Sequence, residues 1–144
     1  MRVVGIDFGE KRIGVAAADD RTRIAIPVRT VEVRGDPVDD LVRIVEEERA
    51  DVIVMGLPLS LTGAEGPQAR RIRDVIEALI TRVDIPVETW DERLTTAQAM
   101  RGNLAPAGKR KRGGKPGPAA DPHRDAAAAA IMLQSFMDSQ RPYE

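Results

Sequence analysis

The sequence predicts an α/β protein built on a five-stranded mixed sheet with helices on both faces. Three observations lead there. The first three strand-like runs follow one another with connections too short for a helix, so they form an antiparallel meander. Two later apolar runs each follow an amphipathic helical stretch, so crossovers bring them into the sheet as parallel strands. The last ordered segment is rich in alanine and reads as a helix. The predicted order is β-β-β-α-β-α-β-α-α, with no internal repeat.

The first strand covers Val3 to Phe8. Extended chain alternates its side chains, so Val4, Ile6 and Phe8 share one face and Val3, Gly5 and Asp7 the other. Gly9-Glu10-Lys11-Arg12 makes a hairpin turn into a second strand, Ile13 to Ala18. A third strand, Ile24 to Val33, contains Pro27, which lacks a backbone donor and therefore belongs on a sheet edge. Gly35-Asp36-Pro37 punctuates the chain before a helix over Val38 to Glu48, with Val38, Leu41, Ile44 and Val45 at helical spacing. Asp51 to Gly56 is a buried strand by its unbroken apolar run. A Gly- and Pro-rich loop, Leu57 to Pro67, leads to a second helix over Gln68 to Val83. Pro86 to Asp91 is the fifth strand. Thr95 or Thr96 caps a third helix running to about Leu104. A final helix runs from His123 or Arg124 to about Ser139.

The 144 residues match one ordinary domain, so residues 1–144 are expected to share one core, with a flexible basic loop at about 105–122. Aromatics make up only 3%, which leaves Val, Ile, Leu and Ala to fill that core. There is no cysteine, which excludes disulfides, thiolate nucleophiles and Cys-type zinc sites and is compatible with a reducing cytosol. The N-terminus has no long apolar run and no small-residue cleavage pattern, so no signal peptide is expected. No apolar run reaches membrane-spanning length. With 22 basic and 23 acidic residues, a nucleic-acid partner would need a local basic patch.

Three acids in apolar surroundings carry the chemistry. Asp7 lies inside an apolar strand beside Gly5 and Gly9. A carboxylate there is costly unless it is paired, hydrogen-bonded or bound to a metal, and glycines let another group approach. The plainer reading is a strand-end Asp closing a turn against Lys11 or Arg12. The second acid lies in Trp90-Asp91-Glu92-Arg93-Leu94-Thr95-Thr96. Strand alternation sends Asp91 and Glu92 to opposite faces, so one is the ligand and the other bonds locally. The plainer reading there is a capping cluster around Thr95. The third is Asp125, at the head of a predicted helical stripe of Ala128, Ala129, Met132 and Phe136, whose alanines let the helix lie close to the sheet. Its plainer reading is an acid stabilised by the first helical turn. Asp121 competes for the role but sits in the Pro-rich loop. His123 is the only histidine, so multi-imidazole chemistry is out of reach. A carboxylate cage suits Mg²⁺ or Mn²⁺, ions that activate water and stabilise the leaving oxygen of a phosphodiester.

Gly5-Ile6-Asp7-Phe8-Gly9-Glu10-Lys11-Arg12-Ile13-Gly14-Val15-Ala16 resembles the opening motif of the YqgF/RuvX family of Holliday-junction-resolvase-like nucleases. Val54 to Leu59 with Gly63, Asp91 to Thr96, and Asp125 through Met137 are similar to its later blocks, in the same order. The resemblance implies an RNase H-like fold and a cytoplasmic hydrolase that trims the 5′ end of pre-16S ribosomal RNA. It carries over Asp7, the Asp91-Glu92 pair and Asp125 as the catalytic and metal-binding acids, with Glu92 preferred to Asp91. The stretch between Gly102 and Asp125 departs from the family in being long and unusually basic.

Lys109, Arg110, Lys111, Arg112 and Lys115 place five positive charges and no acid within seven residues. Such a run is expected to hold phosphates without reading sequence. Lys11, Arg12 and Arg93 adjoin the acids and are expected at the scissile phosphate; the competing reading pairs them with the acids when no metal is bound. Trp90 reads as core, with base stacking as the alternative.

Four functions compete. The first is a ribosomal RNA processing nuclease, acting as a monomer or a non-covalent homodimer. The second is a Holliday junction resolvase acting on DNA, which needs two active sites and hence a dimer. An ATP-binding protein of the actin type shares a Gly5-Ile6-Asp7-Phe8-Gly9-like strand but needs two such domains. A non-catalytic RNA-binding module is the fourth.

Overall fold

The computed structural model describes residues 1–60, 62–94 and 122–140. Its elements are β1 (Arg2–Phe8), β2 (Arg12–Asp19), β3 (Ile26–Glu32), α1 (Pro37–Glu48), β4 (Val52–Leu57), α2 (Pro67–Ile80), β5 (Val87–Asp91) and α3 (Pro122–Ser139). The helix expected over 95–104 lies outside the described residues. So does the basic loop, apart from Pro122, which opens α3.

One sheet has the order β3-β2-β1-β4-β5. β1 pairs antiparallel with β2 and parallel with β4; β2–β3 is antiparallel and β4–β5 parallel. The short Gly9–Lys11 turn accounts for the first pairing, and Gly9 N–H closes it on the Arg12 carbonyl at 2.9 Å. α1 and α2 supply the crossovers behind the parallel strands. The start of α1 is local chemistry: Asp36 accepts from Val38 N–H at 3.0 Å, and Pro37 takes the first helical position, where no donor is required.

Pro27 does sit on an edge strand. The β2–β3 register jumps between Val15 (opposite Arg29) and Ala16 (opposite Pro27), leaving Val28 as the extra residue of a bulge. β3 starts two residues later than the sequence predicts. Ala25 N–H leaves the ladder to donate to Gln134 Oε1 of α3, and Ile24 N–H donates to Thr22 Oγ1.

The alternation along β1 divides the core. Val4, Ile6 and Phe8 pack with Leu41 and Ile44 of α1 and with Ile72, Ile76 and Leu79 of α2. Val3 faces the other way, with Ala16, Val54 and the Ala129, Leu133 and Phe136 side of α3. The predicted stripe on the last helix needs correcting. Ala129, Met132 and Phe136 are buried, but Ala128 is exposed, and Ala126, Ala130, Leu133 and Met137 are buried instead. Leu133 is the cause: a Cβ on Gly5 would stand 2.9 Å from Leu133 Cβ, so the bare backbone of Gly5 seats this side chain and sets the roll of α3.

Candidate active site

Asp7 belongs to the α3 side of β1, near the strand's C-terminal end. Its register partner on β2 is Gly14. On the other side Ile6 pairs with Met55, so Gly56 follows at the level of Asp7 on β4. The acid therefore stands between two strands that carry no side chain beside it. Each bare position is filled from elsewhere in the chain by another acid.

Asp125 fills the first. A Cβ on Gly14 would lie 2.1 Å from the Asp125 carbonyl oxygen, well inside van der Waals contact. The first turn of α3 thus rests on β2 backbone. The Asp125 carboxylate is turned to Arg12, whose Nε donates to Oδ2 at 2.8 Å.

Glu92 fills the second. A Cβ on Gly56 would lie 2.3 Å from Glu92 Oε2. Sequence alternation treats Asp91 and Glu92 as strand neighbours. In the structure β5 ends at Asp91 and the chain turns helical at Glu92, ahead of the Thr95 or Thr96 start expected from the sequence. The change of backbone sends the two side chains apart. Asp91 accepts from Arg93 through the backbone N–H at 3.0 Å, Nε at 2.9 and 3.0 Å, and Nη2 at 2.5 Å. Glu92 lies over Gly56.

The electrostatics follow the packing. Burial raises the Asp7 carboxyl above its ordinary range, and the charge of Asp125 raises it further. Burial likewise pushes Glu92 up to about 7, with the charges of Asp7 and Asp91 adding to it. Asp91 is held low, chiefly by the hydrogen bond from the Arg93 side chain. Neither the Asp7 nor the Glu92 carboxylate has a hydrogen bond or ion pair with another described residue. Partly desolvated carboxylates that repel one another and lack a protein cation are a donor set suited to a hard divalent ion. Among the described residues, however, no group of three acids, imidazoles or thiolates is gathered closely enough to hold an ion as it stands. The Asp125 carboxylate is paired with Arg12 instead.

The cations expected at the scissile phosphate fare differently. Lys11 is exposed in the β1–β2 turn, Arg12 is engaged by Asp125, and Arg93 by Asp91. Asp7 pairs with neither Lys11 nor Arg12. Lys109, Arg110, Lys111, Arg112, Lys115 and the rival acid Asp121 lie outside the described residues. Trp90 packs edge-on against Phe136, ring centres 5.9 Å apart, as a core residue does. The sequence neighbours of Asp7 point to Gly5 and Gly9 for open space around it. Gly5 seats Leu133, and a Cβ on Gly9 would crowd the Arg12 carbonyl within its own turn, at 2.9 Å. Gly14 and Gly56 open the space, and their signal was available: glycines in apolar strands, inside both resemblance motifs.

Known proteins match this chain over nearly its whole length. The family model RuvX, described as Holliday junction resolvase, matches residues 1–139. A "Putative pre-16S rRNA nuclease" of Chloroflexus aggregans is 38% identical over 143 residues, covering 96% of this chain and 94% of the relative. One of the same name from Thermobifida fusca is 40% identical over 139 residues, covering 96% and 87%. Among solved structures, Thermus thermophilus RuvC in complex with a Holliday junction substrate aligns with TM-score 0.58 at 16% identity, over 97% of this chain and 95% of that one. The fowlpox virus Holliday junction resolvase aligns with TM-score 0.55 at 13% identity, over 96% and 99%. At such identities these two structures establish the fold, an RNase H-like sheet of the resolvase type. The sequence matches carry the assignment further: from the first strand to the end of the last helix, this chain belongs to the RuvX family.

Proposed function

We propose that this chain is a metal-dependent nuclease that hydrolyses phosphodiester bonds of RNA and matures the 5′ end of pre-16S ribosomal RNA in the cytoplasm. One observation carries the chemistry. Acidic residues from the first strand, the turn after the fifth and the start of the last helix lie near one another on one sheet face, where Gly14 makes room for the Asp125 backbone and Gly56 for the Glu92 side chain. The names of the relatives support the substrate.

Asp7, Glu92 and Asp125 would hold Mg²⁺ or Mn²⁺. Such an ion supplies an activated water and charge stabilisation for the leaving oxygen. The protein's own share is placement and electrostatics. Asp7 stands on the central strand, whose backbone is paired on both sides. Glu92, on a helical turn, has its carboxyl pushed up to about 7 by burial and by the charges of Asp7 and Asp91, and a bound cation would offset that repulsion. Lys11, exposed in the β1–β2 turn, offers a charge to the substrate backbone.

The test is a side-by-side cleavage assay with a pre-16S 5′ leader, a generic single strand and a four-way DNA junction, each with Mg²⁺ and Mn²⁺. The leader should be cut at the mature end, and Asp7→Asn should reduce cutting to background while the circular dichroism spectrum stays the same. Undiminished cutting by Asp7→Asn would sink the acid assignment. Preferred cutting of the junction by a dimer would move the substrate to DNA.

A further inference from the structure

The β1–β2 turn, Gly9 to Lys11, is clamped from both faces of the sheet. Gly9 N–H donates to the Arg12 carbonyl, and Val33 N–H, just beyond β3, donates to the Lys11 carbonyl, both at 2.9 Å. Glu10 accepts from Arg71 of α2, the helix on one face. Arg12, the residue after the turn, donates to Asp125 of α3, the helix on the other face, at 2.8 Å. The turn therefore ties both helical layers together at the C-terminal end of β1, just past Asp7.

Three exposed cations belong to this clamp without a side-chain partner among the described residues. Lys11 lies within the turn, Arg70 adjoins Arg71, and Arg124 adjoins Asp125. The acids that the same contacts bring there, Glu10 and Asp125, already have an arginine each, and Glu65 before α2 has Arg73. Asp74, one turn beyond Arg70, makes no ion pair with it. Helix energetics do not explain the two arginines. Arg70 stands near the start of α2, whose first turn holds no acid, and Arg124 stands in the first turn of α3. A helix dipole disfavours positive charge at both places.

We propose that Lys11, Arg70 and Arg124 form a phosphate track. On it the backbone of a single-stranded RNA crosses the C-terminal edge of the sheet, from the α2 side to the α3 side, where Asp7 lies. For its ligand this rests on the nuclease reading above. Cations of this kind hold phosphates by charge and fix the strand's path without reading its sequence. The turn beneath them is already ordered, so binding costs the freedom of side chains and little of the backbone's.

Fluorescence anisotropy of a labelled single-stranded RNA tests this with the full chain, in EDTA and at several salt concentrations. Lys11→Gln, Arg70→Gln and Arg124→Gln should each flatten the slope of log affinity against log salt by about 0.7, and the triple variant by about 2. RNAs of unrelated sequence should show the same loss. Arg70→Lys and Arg124→Lys should keep the parent slope. Arg49→Gln is the control. Arg49 is also exposed and without a side-chain partner among the described residues, but it follows α1 at the opposite edge, where Asp51 N–H donates to the Arg2 carbonyl. It should leave the slope unchanged. A parent-like slope in the triple variant overturns the track, and so does equal flattening by Arg49→Gln. Should the triple variant not fold, the three single variants decide in the same way. The two readings fail separately. A parent protein that cuts the leader while the triple variant keeps its slope overturns the track alone. RNA that is bound with the expected slopes and never cut overturns the nuclease alone. No RNA binding by the parent protein overturns both.

Discussion

The carbonyl of Asp125 lies over Gly14 so closely that a single added methyl group would stand 2.1 Å from its oxygen. Two segments more than a hundred residues apart meet there, backbone on backbone. Across Asp7, Glu92 stands over Gly56 in the same manner, but by the far end of its side chain. The two sockets have different physics, and that difference can be measured.

Gly14→Ala must push the start of α3 off the sheet, because the obstacle is backbone. It should destabilise the fold by about 1–3 kcal/mol, as overpacking does, and abolish cleavage. Gly56→Ala meets a side chain that can swing away. It should melt close to the parent protein yet lose cleavage, because Glu92 no longer lies where the bare strand let it. Thermal melts and RNA cleavage of both variants check the contrast; equal losses of stability would contradict it.

Glu92 gives a pH signature. Its carboxyl is raised from the ordinary 4.5 to about 7, first by burial and then by its acidic neighbours. Between those values the folded protein keeps a proton that the unfolded chain has released. Rising pH therefore lowers stability across that window, opposite to the usual behaviour of an ion-paired carboxylate. In EDTA, Glu92→Gln should be more stable than the parent at pH 8, on the order of 1–2 kcal/mol after allowing for solvent screening, with the advantage gone below pH 4. A melting-temperature difference that does not vary with pH would contradict this. In Mn²⁺ the sign should reverse, since the metal favours the carboxylate.

The run Lys109 to Lys115 supplies the local charge that an overall balance of −1 does not. Deleting residues 109–115 should weaken RNA binding and flatten its salt dependence, by about 0.7 in the log–log slope for each single-strand phosphate that the run neutralises. Binding isotherms at several salt concentrations measure this. An unchanged slope would assign the phosphates to other cations.

The sequence by itself determined the element order over the described residues, the edge position of Pro27, the division of β1 into two faces and the acids worth weighing. These are legible because they are local. Alternation, helical spacing and turn chemistry act within a few residues, and the resemblance motifs are contiguous. Only the tertiary structure decided how the acids meet. Asp91 and Glu92 are neighbours in sequence, but the end of β5 between them turns one to Arg93 and the other over Gly56. Arg12 adjoins Asp7 in its motif, yet its partner is Asp125. The last helix is rolled by Leu133 seating on Gly5, which exposes Ala128 against expectation. Each outcome depends on strand register and on close approach between distant segments. A local pattern shows which residues can take part in such packing; the assembled sheet decides which of them meet.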